Sequence, residues 1–173
     1  VFGISGDDPS EVRAAVESDT DQFVDEYEGL VAYAGSDDPT ERAVAARCFA
    51  LAAADYPSLV ADEAEVVVGL LDDPSPEVRA DAADALAGAV QQESVGFDDR
   101  DRDAVAGLLD DPSPAARAAG AKLRRAAADR NPKRYVSAVP GLEQLVSESL
   151  DGGDEADEAA VAALEAILEV VRE

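Results

Sequence analysis

One short pattern recurs three times in this chain and limits the folds that the chain can adopt. Each copy has an acidic pair, a proline, a small hydroxyl residue and then an arginine inside an alanine-rich run, and the copies span 37–42, 72–79 and 110–117. The arginines, Arg42, Arg79 and Arg117, lie 37 and 38 residues apart. Self-similarity at this period is typical of stacked repeats, in which each unit buries its apolar face against a neighbour.

The pattern predicts helices as the repeating element. Asp, Ser or Thr beside a proline is the usual start of a helix, because the hydroxyl or carboxylate accepts from free N–H groups and proline lacks one. Apolar residues then recur every three to four positions, as in Val78, Ala82 and Leu86. No segment alternates with period two, so we expect an all-α fold, an α-solenoid of antiparallel helix pairs. The predicted helices are 9–17, then 20–34 with 39–54, 58–71 with 75–90, 99–109 with 113–130, and 133–150 with 155–172.

These helices predict one domain over residues 1–173, a length within the range of a single cooperative unit. Residues 1–18 are expected to cap the array at its N-terminal end. The expected repeats are 19–55, 56–91 and 92–131. Residues 132–173 have no Asp-Pro turn and are expected to form a divergent capping repeat.

The charge of the chain is its second signal. The 39 acidic and 14 basic residues give a net charge of −25. Such an excess destabilises a compact fold in dilute salt, whereas molar salt shortens the Debye length to about 3 Å. The composition therefore favours a high-salt cytoplasm such as that of a halophilic archaeon. An acidic protein that mimics nucleic acid or binds basic partners remains the alternative.

Few features of the sequence suggest export from the cell or insertion into a membrane. Its single cysteine, Cys48, lies in an apolar run and is expected to be a small buried hydrophobe. No stretch approaches 18 consecutive apolar residues, and no signal peptide is visible. We therefore expect a soluble, cytoplasmic protein.

The sequence Asp73-Pro74-Ser75-Pro76-Glu77-Val78-Arg79, between a helix ending in Leu-Leu-Asp and an alanine-rich helix, resembles the HEAT repeat family, particularly its short HEAT-like (PBS-lyase-type) form. The resemblance covers residues 20–130 well and 131–173 weakly. It implies that turn aspartates and helix arginines form hydrogen-bonded ladders between repeats. The ladder residues carried over by position are Asp38 with Arg42, Asp73 with Arg79, and Asp111 with Arg117.

The composition argues against catalysis. The chain has no histidine, which removes the commonest general base and metal ligand and the His-Glu motif of the deoxyhypusine hydroxylases that the resemblance would otherwise suggest. The DNA glycosylases that resemble HEAT repeats use a basic cleft, which a chain of this charge does not predict. Residues 99–103 alternate Asp and Arg but lack the glycine and distal glutamate of a calcium loop. We expect no enzyme, no metal and no cofactor.

Half of the basic residues, seven of 14, fall within residues 117–134. They either complement a helix C-terminus or form a basic patch for an acidic partner surface or a nucleic acid. The concave face of a stacked array usually binds its partners. The predicted function is thus a scaffold that binds another protein; the alternatives are a nucleic-acid-associated module and, by resemblance, a lyase-like auxiliary or chaperone subunit of a cofactor protein. The candidate binding residues are Arg47, Asp81, Asp84, Lys122, Arg124, Arg125, Arg130, Lys133 and Arg134.

Overall fold

The computed structural model describes residues 8–92 and 99–130, and these residues are helical with no strand. This confirms the all-α class for the described part of the chain; the helices predicted at 133–150 and 155–172 lie outside it. The helices are α1 (Pro9–Ser18), α2 (Gln22–Ala34), α3 (Pro39–Ala52), α4 (Pro57–Asp62), α5 (Ala64–Gly69), α6 (Pro76–Gln92), α7 (Asp99–Gly107) and α8 (Pro114–Arg130). Short 3₁₀ turns, Leu70–Asp72 and Leu108–Asp110, follow α5 and α7.

Five of the described helices, α1, α3, α4, α6 and α8, begin at a proline, and the starts of α3, α6 and α8 follow the three copies of the repeated pattern. Proline is tolerated there because the first helical N–H has no intrahelical acceptor. The carboxylate of Asp8 accepts from Ser10 N–H at 2.9 Å, and that of Asp38 accepts from Thr40 N–H at 2.7 Å. Local capping chemistry therefore sets these starts.

The helix predicted at 58–71 is interrupted. Glu63 separates α4 from α5 with φ −103° and ψ 20°, outside the helical region. The Tyr27 hydroxyl of α2 lies 3.2 Å from the Leu59 carbonyl oxygen and 3.2 Å from a Glu63 carboxylate oxygen. A side chain from another helix thus contacts polar groups at the break. No local sequence pattern around Glu63 predicts this contact.

Helices α1, α3, α6 and α8 pack side by side. In the described residues α3 contacts α1 and α6, and α6 contacts α3 and α8, while α2, α4 with α5, and α7 pack on α3, α6 and α8 in turn. Arg42 contacts Asp73 just before α6, and Ala53, after the end of α3, meets Gly88 near the end of α6. Because the contacts advance in the same direction along both helices, α3 and α6 run parallel.

Small residues allow this close approach. A Cβ on Gly88 would lie 2.7 Å from the Ala53 Cβ, so glycine is needed where α6 meets α3. The interior is otherwise built mainly from Ala, Val and Leu. Phe23 of α2 and Phe49 of α3 are in edge-to-face contact, with their ring centroids 5.4 Å apart. None of the helices described here is both long and apolar enough to cross a bilayer.

Candidate functional site

The shared proline starts bring residues of equal helix position into rows that cross α1, α3, α6 and α8. The fourth residues are Val12, Arg42, Arg79 and Arg117. The ninth residues are Glu17, Arg47, Asp84 and Lys122. The side chains of the first row are mostly buried and those of the second row are about half-exposed, so the two rows have different roles.

Arg79 shows how the first row is built. Its Nε and Nη2 donate to the two carboxylate oxygens of Asp111 at 2.7 and 2.8 Å. Its Nη1 donates to the carbonyls of Asp73 and Pro74, at the start of its own turn, at 2.7 and 3.1 Å. One guanidinium therefore ties its own turn to the next, with the bidentate geometry that makes such pairs strong.

Arg42 repeats this arrangement one unit earlier. Its Nε donates to Asp73 Oδ2 at 2.5 Å, and its Nη1 donates to the Ser36 and Asp37 carbonyls at 2.9 and 3.0 Å. Arg117 likewise donates to the Asp111 and Pro112 carbonyls at 2.9 and 3.3 Å. Each of Arg42 and Arg79 thus binds the aspartate of the following turn, which differs from the pairing of Asp38 with Arg42, Asp73 with Arg79 and Asp111 with Arg117 expected from the sequence.

The register of the first turn also differs from the one that its acidic pair suggests. Asp73 and Asp111 accept from the N–H of Ser75 and Ser113 at 2.8 Å each. In the first turn the equivalent acceptor is the Ser36 hydroxyl, which accepts from Asp38 N–H at 3.1 Å. Ser36 therefore holds the ladder position, and Asp38 is an exposed cap.

The second turn has two prolines where the first has one, which explains the shift. The sequence pattern aligns Pro39 with Pro74, whereas the structure aligns Pro39 with Pro76, the residue that begins α6. Proline at the first helical position is the geometric constraint, so the register follows it.

The ladder carboxylates are buried and fully used. Asp73 is 7% exposed and Asp111 9%, and no buried side-chain polar atom in the described residues lacks a hydrogen-bond partner. The hydrogen bond from Arg79 holds the pKa of the Asp111 carboxyl below its ordinary value, and the Ser113 N–H acts in the same direction. These groups stabilise the packing of one unit on the next.

The second row alternates in charge across the four helices and lies on one face. Arg47 of α3 lies 3.7 Å from Glu17 of α1, and Lys122 of α8 lies 2.8 Å from Asp84 of α6. Arg47 also lies 3.5 Å from Asp81, one turn earlier on α6, where burial raises the pKa of the Asp81 carboxyl. The structure therefore brings together four residues that the sequence singled out: Arg47, Asp81, Asp84 and Lys122.

A groove of about 290 Å³ opens on this face between α3, α6 and α8. Half of its lining residues are apolar or glycine, and the other half are three charged residues and two glutamines. The lining residues are Arg47, Ala50, Leu51, Ala53, Ala54, Asp84, Gly88, Gln91, Gln92 and Lys122. Sequence reasoning singled out the charged members and missed the apolar ones, for which Gly88 in an alanine-rich helix was the available signal.

Four of the seven basic side chains of 117–134 lie within the described part of the chain: Arg117, Lys122, Arg124 and Arg125. Arg117 binds the carbonyls of its own turn and Lys122 binds Asp84, whereas Arg124 and Arg125 are half-buried. Arg124 holds the place in α8 that the fully buried Phe49 and Leu86 hold in α3 and α6. The side chain of Arg130, and both Lys133 and Arg134, lie outside the described residues.

The described residues include no group of three His, Cys, Asp or Glu placed to hold a metal ion. Cys48 is completely buried, and burial raises the pKa of its thiol to about 12. A thiol in this state is not a nucleophile near neutral pH. This face therefore offers groups for noncovalent binding: charged side chains, apolar side chains and two glutamine amides.

No protein-family model matches the chain, and neither the curated proteins nor the solved structures include a significantly similar one.

Proposed function

We propose that this protein is a non-catalytic scaffold, a HEAT-like α-solenoid that binds another protein through its concave face. In this proposal the concave face is the one that carries the groove between α3, α6 and α8. The large excess of acid supports a cytoplasmic role in a halophilic archaeon, because high salt screens the repulsion that this charge creates.

The groove is the observation that carries the proposal. It lies where α3, α6 and α8 are side by side, and parallel helices of this kind line the binding surfaces of repeat arrays. Its volume of about 290 Å³ is at the lower limit for small-molecule pockets. It therefore suits one or two protein side chains better than a cofactor.

The lining also indicates the chemistry of the partner. The charged lining residues are Arg47, Lys122 and Asp84, so their charges sum to +1 in a chain of −25. Ala50 and Leu51 supply apolar lining to the same groove. The occupant that fits is an acidic segment of a partner protein that inserts one large apolar side chain and places carboxylates near the two cations.

Both cations retain freedom to make such contacts. The side chain of Arg47 is 41% exposed and that of Lys122 is 56% exposed, and the ion pairs of Arg47 with Glu17 and of Lys122 with Asp84 are of the exposed kind that contributes little to stability. Exchange of these pairs for partner carboxylates therefore costs little.

A displayed library of random peptides, selected on the immobilised protein in molar salt, tests the proposal. We expect the selected peptides to share acidic residues around a bulky apolar residue. Fluorescence anisotropy with one labelled peptide then measures its affinity.

The variant Ala54→Trp fills the end of the groove and should weaken that peptide at least about tenfold. Ala32→Trp adds the same side chain at an exposed position of α2, away from the groove, and should leave affinity unchanged. The proposal fails if selection enriches nothing, or if a selected peptide binds wild type and Ala54→Trp equally well.

A further inference from the structure

The junction between α1 and α3 is built differently from the junctions that follow it. Arg42 and Asp73 join the second turn to α3, and Arg79 and Asp111 join the third turn to α6. At the first junction the arginine position is held by Val12, and the aspartate position by Ser36. Both members of the charged pair are replaced together, so this junction has no such rung.

Two further features make this junction weak. Helix α1 has 10 residues, of which only Val12 and Val16 are buried, whereas α6 has 17 residues, of which eight are buried. The ion pair that joins the two helices, Glu17 with Arg47, is 3.7 Å long, and its side chains are 38% and 41% exposed. Exposed pairs of this kind contribute little.

The residues of α3 that α1 covers follow from the register. On α6, the sixth and thirteenth residues, Asp81 and Gly88, face α3. The sixth residue of α3 is Val44, and the tenth, Cys48, is one turn further along the same side. The charges of Glu17 and Arg13, both on α1, act on the Cys48 thiol.

We infer that α1 is a hinged end-piece of the described helices, which opens from α3 as a unit while α3, α6 and α8 stay packed. Opening uncovers the side of α3 that carries Val44 and Cys48 and leaves the Arg42–Asp73 and Arg79–Asp111 rungs intact. Regions with few buried apolar contacts open at lower free energy than the whole molecule.

The one cysteine of the chain makes this opening measurable. Cys48 is 0% exposed, so a soluble thiol reagent reacts with it only after the covering helix has moved. The labelling rate with a small maleimide at fixed pH 8 and fixed molar salt reports the opening of α1. Urea unfolding followed by circular dichroism reports the stability of the whole molecule.

Two matched variants separate these processes. Val16→Ala in α1 and Val78→Ala in α6 each remove the same two methyl groups from a side chain that is 1% exposed. We expect Val16→Ala to accelerate Cys48 labelling at least about tenfold, and Val78→Ala to lower the urea midpoint with little change in the labelling rate. Native labelling should also be much faster than the rate that global unfolding predicts.

The inference is overturned if the two variants accelerate labelling in proportion to their loss of global stability, since exposure of Cys48 would then require complete unfolding. It is equally overturned if Val16→Ala leaves the labelling rate unchanged, or if it unfolds α3, α6 and α8 together with α1.

Discussion

The ion pair between Arg79 and Asp111 joins two successive units of the described helices, and its removal should destabilise them. The substitution Arg79→Ala removes both hydrogen bonds to the Asp111 carboxylate and both hydrogen bonds to the carbonyls of the preceding turn. Ser113 N–H remains as a partner of Asp111. A buried charge is then left with one donor in place of three.

The structure sets the size of the effect. The Arg79 side chain is 14% exposed and that of Asp111 is 8% exposed, so the pair is well shielded from water. Removal of one partner from a buried pair costs roughly 3–5 kcal/mol, and the remaining Ser113 donor places the expected loss near the lower limit, about 3 kcal/mol. For a chain of this length, this lowers the melting temperature by roughly 6–12 °C.

Urea unfolding followed by circular dichroism, at one fixed molar salt concentration, measures the loss; urea is preferred because guanidinium would itself screen charge. Arg13→Ala is the control. Arg13 pairs with Glu17 on the same helix, and their side chains are 52% and 38% exposed, so this substitution should lower the free energy of unfolding by at most about 0.5 kcal/mol. The double variant Arg79→Ala with Asp111→Ala should recover part of the loss, since no buried charge is left behind. If Arg79→Ala costs no more than Arg13→Ala, or if the two losses at Arg79 and Asp111 simply add, the ladder does not hold the units together.

Two further predictions concern charge. Acid should destabilise the fold below about pH 4. The folded-state pKa of Asp111 lies below its ordinary value of 3.8, so the contribution of Asp111 to the free energy of unfolding is complete above pH 3.8. This contribution is lost as the pH falls through the folded-state pKa. Urea midpoints measured between pH 6 and pH 2.5 should show this slope in wild type and a shallower one in Asp111→Asn; identical slopes would refute the assignment. Stability should also rise with potassium chloride up to molar concentrations, because screening relieves the repulsion within a chain of net charge −25; a melting temperature that is flat or falls with salt would contradict the high-salt interpretation.

Much of the local architecture follows from the sequence. The starts of α3, α6 and α8 lie within one residue of the predicted positions, and that of α1 coincides with its prediction. These starts depend on a proline at the first helical position and on polar residues just before it, all within a few residues of one another. The apolar periodicity of three to four is equally local, and it determined that Val78, Ala82 and Leu86 are buried.

Contacts between residues more than thirty positions apart decided the rest. Only the packed structure shows that Ser36, and not Asp38, occupies the ladder position, because Pro39 aligns with Pro76 and not with Pro74. The Tyr27 hydroxyl that contacts Glu63 at the interruption lies 36 residues away in the chain.

The candidate site likewise depends on contacts between residues that are far apart in the chain. Residue types and helix phase singled out Arg47, Asp84 and Lys122 from the sequence, but the groove also includes Gly88 and Ala53, which meet only when α6 packs on α3. Hydrogen bonds within one turn can be inferred from neighbouring residues, whereas the register between helices depends on how whole apolar faces fit together. The sequence by itself therefore determined which segments are helices and where they begin, and the tertiary structure decided which of their side chains meet.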